Sequence, residues 1–455
     1  MNTFGLRAYY RPTQFSRISL EYHTTNEFRR GGNKFDLQPH ETDITEQTKH
    51  IINSGGLTYD VFFNEYKHKL SVYASAQHTD RNSYYGADKA ENAYGKTKDL
   101  TAVGGAMYVG NMDNCLFSPA TFTGGLEYQY NSLHDVMTGY GRDLKQDVKI
   151  ASGFVQNEWK LDYFTILAGF RLDKHNLVDN VIFSPRINTL WKPSDKFQGR
   201  LTWSTGFRAP QAYDEDLHVA AVGGEAMEVR LAEGLKPERS NSFSGSVDWS
   251  FNFGHFQSNL LIEGFYTALN DVFYLESLGK DPVSGTLVQE RRNGNGARVY
   301  GANIDYKIAH GKEAQLQLGF TVQRSRYTEA VRWSEDEDVA AIKRMPRTPD
   351  YYGYFTFSSA PLKNFDFSLS GVYTGRMIVP HFAGYIEKDR LEHTPDFMDF
   401  NLKLNYTFVL NDHLKLQVNG GVQNIFNAFQ KDLDKGMNRD SKYFYGPTQP
   451  RKIGR

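Results

Sequence analysis

The chain has 455 residues, with 52 Lys plus Arg against 53 Asp plus Glu and a formal net charge of −1, a balance that speaks against a nucleic-acid partner. Mean hydropathy is −0.57, and no run approaches the ~18 apolar residues of a membrane helix, so a bilayer-spanning reading must rest on strands. Phe, Tyr and Trp make up 14% of the chain, enough to furnish aromatic belts at two membrane interfaces or, alternatively, the cores of β-sandwiches.

Taken in chain order, apolar and polar residues alternate with a period of two, the pattern of strands with one oily and one wet face. The first strands are expected near 2–11, 14–27, 47–63 and 66–80. The next fall near 99–110, 118–134, 146–161, 163–175, 180–192 and 196–208. The last group falls near 240–253, 256–274, 287–309, 313–330, 349–360, 363–377, 396–409 and 412–429, giving about eighteen in all. The alternation is clearest in Gln315-Leu316-Gln317-Leu318-Gly319-Phe320-Thr321-Val322-Gln323 and in Phe400-Asn401-Leu402-Lys403-Leu404-Asn405-Tyr406-Thr407-Phe408.

Connections also alternate, in length. Tight ones rich in Gly, Pro, Asn and Asp are expected at 11–14, 110–114, 192–196, 252–255, 310–313 and 410–413. Long ones are expected at 28–46, 81–98, 134–146, 210–239, 275–287, 330–348, 377–395 and 429–441. Short turns on one side and long loops on the other define an all-β, transmembrane antiparallel barrel with its long loops outside the cell. So many strands enclose a lumen too wide for side chains alone to fill. Cys115 is the only cysteine, so no internal disulfide forms, and a buried or lumen thiol is expected there. The opening residues, Met1 to Arg11, read as a strand and not as a signal peptide.

Several segments resemble the carboxy-terminal part of TonB-dependent receptors. One is Ser204-Thr205-Gly206-Phe207-Arg208-Ala209-Pro210, followed after a long loop by Leu235-Lys236-Pro237-Glu238. Others are Asn293-Gly294-Asn295-Gly296-Ala297 before Tyr300-Gly301-Ala302-Asn303, and Pro346-Arg347-Thr348-Pro349-Asp350-Tyr351. The most specific is Gln423-Asn424-Ile425-Phe426-Asn427, with Tyr445-Gly446-Pro447 and Pro450-Arg451 downstream. The likeness spans residues 1–455 and implies a plugged barrel of about 22 strands, of which this chain would supply about 18. A signal peptide, TonB box and plug are not found in it, and the ending Lys452-Ile453-Gly454-Arg455 only begins a last strand. The expectation is therefore a barrel shortened at both ends.

The resemblance implies a receptor in the outer membrane of a Gram-negative bacterium. Its partners would be outer-membrane lipid, the TonB complex acting through the plug region, and a scarce ligand such as an iron-siderophore, haem or cobalamin. A passive porin and a soluble all-β binding protein are the alternatives. Phe207, Pro210, Leu235, Pro237, Glu238, Asn424 and Phe426 are expected to be scaffold. Ligand contact is expected of Tyr84, Tyr85 and Tyr213 by stacking, and of Arg208 by charge, with Arg29 and Arg30 as further cations. His218 lies in the loop where haem receptors of the family place an iron ligand, although Ala232-Glu233-Gly234-Leu235 departs from the Asn-Pro-Asn-Leu of that group. His50, His68, His78 and His134 lack metal-ligand spacing, and Gly104-Gly105 and Gly124-Gly125 lack a following helix. The acidic run Glu335-Asp336-Glu337-Asp338 lacks the spacing of a calcium loop. No enzyme constellation, metal site or cofactor is expected. Protease added to whole cells carrying the intact protein is expected to cut within 210–239 and 330–348 while sparing 192–196 and 310–313; the reverse pattern would invert the orientation.

Overall fold

The computed structural model describes all residues except 212–226, 281, 283–286, 335, 437, 441, 448 and 455. Ten strands come first: Asn2–Tyr10 (β1), Ser16–Gly32 (β2), Ile44–Phe63 (β3), His68–Ala87 (β4), Tyr94–Cys115 (β5), Ser118–Met137 (β6), Arg142–Lys160 (β7), Phe164–His175 (β8), Ile182–Ser194 (β9) and Phe197–Arg208 (β10). There follow Met227–Leu231 (β11), Glu238–Phe253 (β12), Phe256–Asn270 (β13), Phe273–Lys280 (β14), Leu287–Asn293 (β15), Ala297–His310 (β16), Ala314–Val331 (β17) and Ile342–Arg344 (β18). The series closes with Tyr351–Leu362 (β19), Phe365–Thr374 (β20), Ile378–His381 (β21), Arg390–His393 (β22), Phe397–Asn411 (β23), Leu414–Gln423 (β24) and Lys452–Gly454 (β25).

Long neighbours pair antiparallel in strict chain order, from β1–β2 through β23–β24, so the wall is one continuous meander. Every one of the eighteen anticipated strands has its counterpart in this wall. Residues of one parity share a face across the register: Leu201, Gly245 and Gly264 in one row, and Leu20, Leu57 and Ala74 in another. That face is apolar and turned outward; Leu126 and Leu201 are each 69% exposed, which only a hydrocarbon surrounding would reward as a continuous stripe. Aromatics ring its lower border, with Trp249 against Phe251 at 4.7 Å, Trp191 against Phe197 at 5.6 Å and Phe117 against Trp159 at 5.6 Å. Among the described residues β1 and β24 are not paired with each other, and all nine residues of β1 are exposed.

The structure moves several boundaries. The turn expected at 110–114 lies at Leu116-Phe117, because β5 runs on to Cys115 past an irregularity between Met112 and Cys115. β3 to β7 reach well into segments expected to be loops: β4 continues to Ala87 and β5 already begins at Tyr94. Above the bilayer both faces meet water or loop, so the two-residue contrast fades while the hydrogen-bonded ladder continues. The single strand expected over 287–309 is two. β15 stands in a separate sheet with β14 and, in parallel, β11; only β16 belongs to the wall. The strand expected at 256–274 leaves the wall at Asn270, where Asp271 takes a φ of 55°.

The strand expected over 412–429 stops at Gln423, and Asn424 shows why. Its φ is 50°, a left-handed value that Asn tolerates better than other side chains. Its side-chain amide donates to the Ala428 and Gln449 carbonyls, both at 3.0 Å, and its carbonyl oxygen accepts from the Ala428 N–H at 2.8 Å. Asn401 Oδ1 accepts from the Asn424 N–H at 2.9 Å. Asn427 Oδ1 accepts from the Arg451 N–H at 2.9 Å, which helps return the chain to β24 as β25. Phe426 is 64% exposed and packs edge-on against Phe400 at 4.9 Å. The Asn-Ile-Phe-Asn segment is thus a staple. Asn424→Ala is expected to cost ~2–4 kcal/mol, from three lost side-chain bonds and a strained backbone, read as a lower temperature for the heat-modifiable gel shift.

Candidate ligand-binding rim

The wall's second face is polar. Tyr73 on β4 donates its hydroxyl to Glu127 Oε2 on β6 at 2.8 Å, and Arg171 on β8 donates to Glu127 Oε1 at 3.0 Å and to Asp173 Oδ1 at 2.8 Å. Ser152 on β7 donates to the same Asp173 oxygen at 2.6 Å. These groups bond one another and line the wall with hydrogen-bonding capacity, as an aqueous lumen requires.

At the long-loop end, β10, β12, β14 and β15 meet around Phe273. Arg208 ends β10 and Arg291 lies on β15; their guanidinium carbons sit 5.9 and 5.7 Å from the Phe273 ring centroid. Glu238, the register partner of Arg208, pairs with it at 3.8 Å and accepts the Phe273 N–H. Arg291 donates to the Gln211 carbonyl. Asn293 ties the strand entrance down, accepting the Lys236 N–H at 2.7 Å and donating to the Lys236 and Asp271 carbonyls at 2.9 and 2.8 Å. Pro237 and Pro210 are buried and Leu235 is half-buried. The two sequence motifs, Phe-Arg-Ala-Pro and Leu-Lys-Pro-Glu, are therefore joined through Asn293 and Phe273. Phe207 pairs with Arg239 in the β10–β12 ladder. The outcome is a rim with two guanidiniums on one ring; Arg208 keeps 42% side-chain exposure, so its charge reaches the solvent.

A second rim cluster joins the β21–β22 hairpin to the segment after Asn424. His381 stacks on Tyr443 with centroids 3.5 Å apart and an 8° tilt, and lies 3.0 Å from Asp434 Oδ2. Tyr443 and Tyr445 both donate to Asp432, at 3.0 and 2.7 Å. Arg347 donates to the carbonyls of Lys442 and Phe444. Burial first, and then the Asp432 carboxylate, push both phenols far above their ordinary range. Sequence reasoning reached Tyr445 and Arg347 only as motif members. It missed His381, Asp432 and Asp434, which no local spacing connects.

Tyr84 and Tyr85 are 1% and 2% exposed. Tyr84 meets Tyr94 edge-on at 4.8 Å and donates to the Ala90 carbonyl at 2.9 Å, while Tyr85 packs with Ile44, Ala87 and Met137. Ligand stacking there would require this packing to open, and neither lies against Arg208. Arg29 pairs with Glu27 at 2.9 Å, and Arg30 donates to the Leu37 carbonyl at 2.7 Å. Tyr213, His218 and Glu335 lie outside the described residues. Among the described residues no group of three or more His, Cys, Asp or Glu side chains is placed to hold a metal ion.

Residues 2–425 match the family model described as TonB dependent receptor-like, beta-barrel, and the chain belongs to that family, one of receptors and not of enzymes. A stretch of 172 residues is 29% identical to the iron-regulated outer membrane virulence protein of Vibrio cholerae serotype O1, covering 37% of this chain and 25% of that protein. Among solved structures the chain resembles the siderophore receptor PirA from Acinetobacter baumannii, with a TM-score of 0.70 and 13% identity over 99% of this chain and 69% of the other. The outer membrane transporter YddB from Escherichia coli gives 0.71 and 10% over 98% and 66%. The FrpB iron transporter from Neisseria meningitidis gives 0.70 and 14% over 99% and 70%. At these identities the structures show a shared fold.

The phenols of Tyr443 and Tyr445 are held neutral, above their unfolded value of about 10. Their share of loop stability is present in full below about pH 10 and is lost as pH rises above it. Alkaline spectrophotometric titration of a Y443F/Y445F variant is expected to yield the same tyrosinate as the parent until the loops unfold; two fewer equivalents in the native range would refute the burial of these hydroxyls.

Proposed function

We propose that the chain forms the barrel wall of an outer-membrane receptor that takes up a ferric siderophore in a Gram-negative bacterium, with energy relayed by TonB. In this reading it is the barrel part of a longer receptor, whose plug region meets the TonB complex. The observation that carries the reading is the Arg208–Phe273–Arg291 rim above a polar-lined wall, since ferric catecholates are anionic and aromatic. Family membership supports it, as does the iron-regulated relative. Arg208 is the contact we rank first; Tyr213 and His218, which follow it in the sequence, are the next residues to test. Tyr84 and Tyr85 would join only if their packing opened. Haem is less well supported: His381 is 3% exposed, and the segment Ala232-Glu233-Gly234-Leu235 differs from the haem-receptor pattern.

The test is uptake of labelled ferric siderophore by iron-starved cells expressing the intact protein, with and without TonB. Loss of TonB is expected to abolish uptake, and R208A/R291A to lower it about tenfold through lost charged contacts. TonB-independent flux, with single-channel conductance in a planar bilayer, would establish the porin reading. Uptake of haem or cobalamin in place of the siderophore would overturn the ligand assignment.

A further inference from the structure

The tyrosines of Tyr443-Phe444-Tyr445 and the aspartates of Asp432-Leu433-Asp434 are spaced i, i+2, which in extended chain turns both members of a pair to one side. The structure brings the two pairs together beside the β21–β22 hairpin. The Tyr443 hydroxyl lies 3.0 Å from Asp432 Oδ2, and the Tyr445 hydroxyl lies 2.7 Å from both Asp432 oxygens. The two rings meet edge-on at 5.3 Å, and Phe444 between them is 52% exposed. Oxygens at these separations match one corner of an octahedral metal site, where bonds of ~2.0–2.1 Å set adjacent ligands roughly 2.9 Å apart.

The inner side is closed by β21 and β22. Glu392 on β22 is the next carboxylate that acts on both phenols. His381 on β21 has a side chain only 4% exposed. Its Nε2 lies 3.0 Å from Asp434 Oδ2. Its Nδ1 is buried, has no hydrogen-bond partner among the described residues, and faces Glu392 Oε1 at 3.6 Å. An imidazole that binds a metal through one nitrogen gives its other N–H to a carboxylate or carbonyl, and Asp434 supplies that carboxylate. Asp434 is in turn fixed by the Asp440 N–H at 2.9 Å.

The donors are also held from outside. Gln430, 2% exposed, donates to the Tyr443 carbonyl at 3.2 Å and accepts the Tyr445 N–H at 2.9 Å. Arg347 donates to the carbonyls of Lys442 and Phe444, on either side of Tyr443. Asp432 is exposed, which leaves an approach from solvent. Among the described residues the His, Cys, Asp and Glu side chains alone outline no metal site; the phenols complete this one.

The donor chemistry selects the ion. Calcium and magnesium are served by carboxylates, carbonyls and water and leave phenols protonated. A trivalent cation polarises more strongly: it displaces both phenol protons to solvent and binds the two phenolates. We propose that Tyr443, Tyr445, Asp432, Glu392 and His381 bind ferric iron directly, at a loop site that uses none of Arg208, Phe273 or Arg291. The inference does not depend on which ligand the barrel transports.

The intact protein is purified from outer membranes in neutral detergent, stripped of metal with a chelator and titrated with ferric nitrilotriacetate. A visible phenolate-to-iron charge-transfer band is expected, saturating at a single ferric ion per chain and unchanged by millimolar calcium or magnesium. Y443F/Y445F should abolish the band. D434N leaves every proposed ligand in place and should lower the apparent affinity about tenfold or more while keeping the band. If the double variant loses the parent's heat-modifiable migration, Y445F alone, at the less buried ring, should weaken and shift the band. Iron bound without a charge-transfer band overturns the proposal, as does an undiminished band in Y443F/Y445F or in Y445F, or full displacement by millimolar calcium. Failure of siderophore uptake leaves all these outcomes unaltered, so the two readings fail separately.

Discussion

The structure depends on one constraint: inside hydrocarbon no backbone N–H or C=O has water to bond, so each must find a partner in the protein. From β2 to β23 the meander meets it by pairing each long strand on both sides with its neighbours in the wall. Once that ladder exists, side chains have only two directions to point. The apolar row through Leu201, Gly245 and Gly264 and the polar set of Tyr73, Glu127, Ser152 and Asp173 are opposite consequences of the same pleat.

Above the bilayer the constraint changes. Water satisfies the backbone there, and the chain is free to build loops whose order comes from side chains. Asn424, Asn293 and Asp432 do this work with short polar groups: the two amides donate to backbone carbonyls across the loops, and the carboxylate accepts from phenols. The Phe273 centre shows the same economy. Glu238 orders the backbone entering β14, pairs with Arg208, and leaves two guanidiniums against one aromatic ring. The rim is held by contacts that connect wall strands to loops.

The wall also has an outside that differs around its circumference. Where Gly245, Gly264 and Ala302 align, the oily face is thin, and where Arg298, Arg326 and Arg344 align, its border is strongly cationic.

What the sequence by itself determined is the wall: its class, its eighteen long strands and the side bearing short turns, because a period of two written into adjacent residues is local and needs no partner to be read. The motif segments were legible as a family resemblance; within them Asn424 bonds the Ala428 and Gln449 backbone, and Glu238 accepts the Phe273 N–H. Tertiary structure alone decided the rest, since it depends on residues far apart in the chain. Arg291 reaches the Phe273 ring that Arg208 also covers, His381 stacks on Tyr443, and Tyr84 and Tyr85 turn out to be packed beneath their own loop. It also decided where strands end, as the division of 287–309 between a loop sheet and the wall shows, because that break follows from Asn293 bonding to Lys236 and Asp271, residues that strand periodicity does not connect.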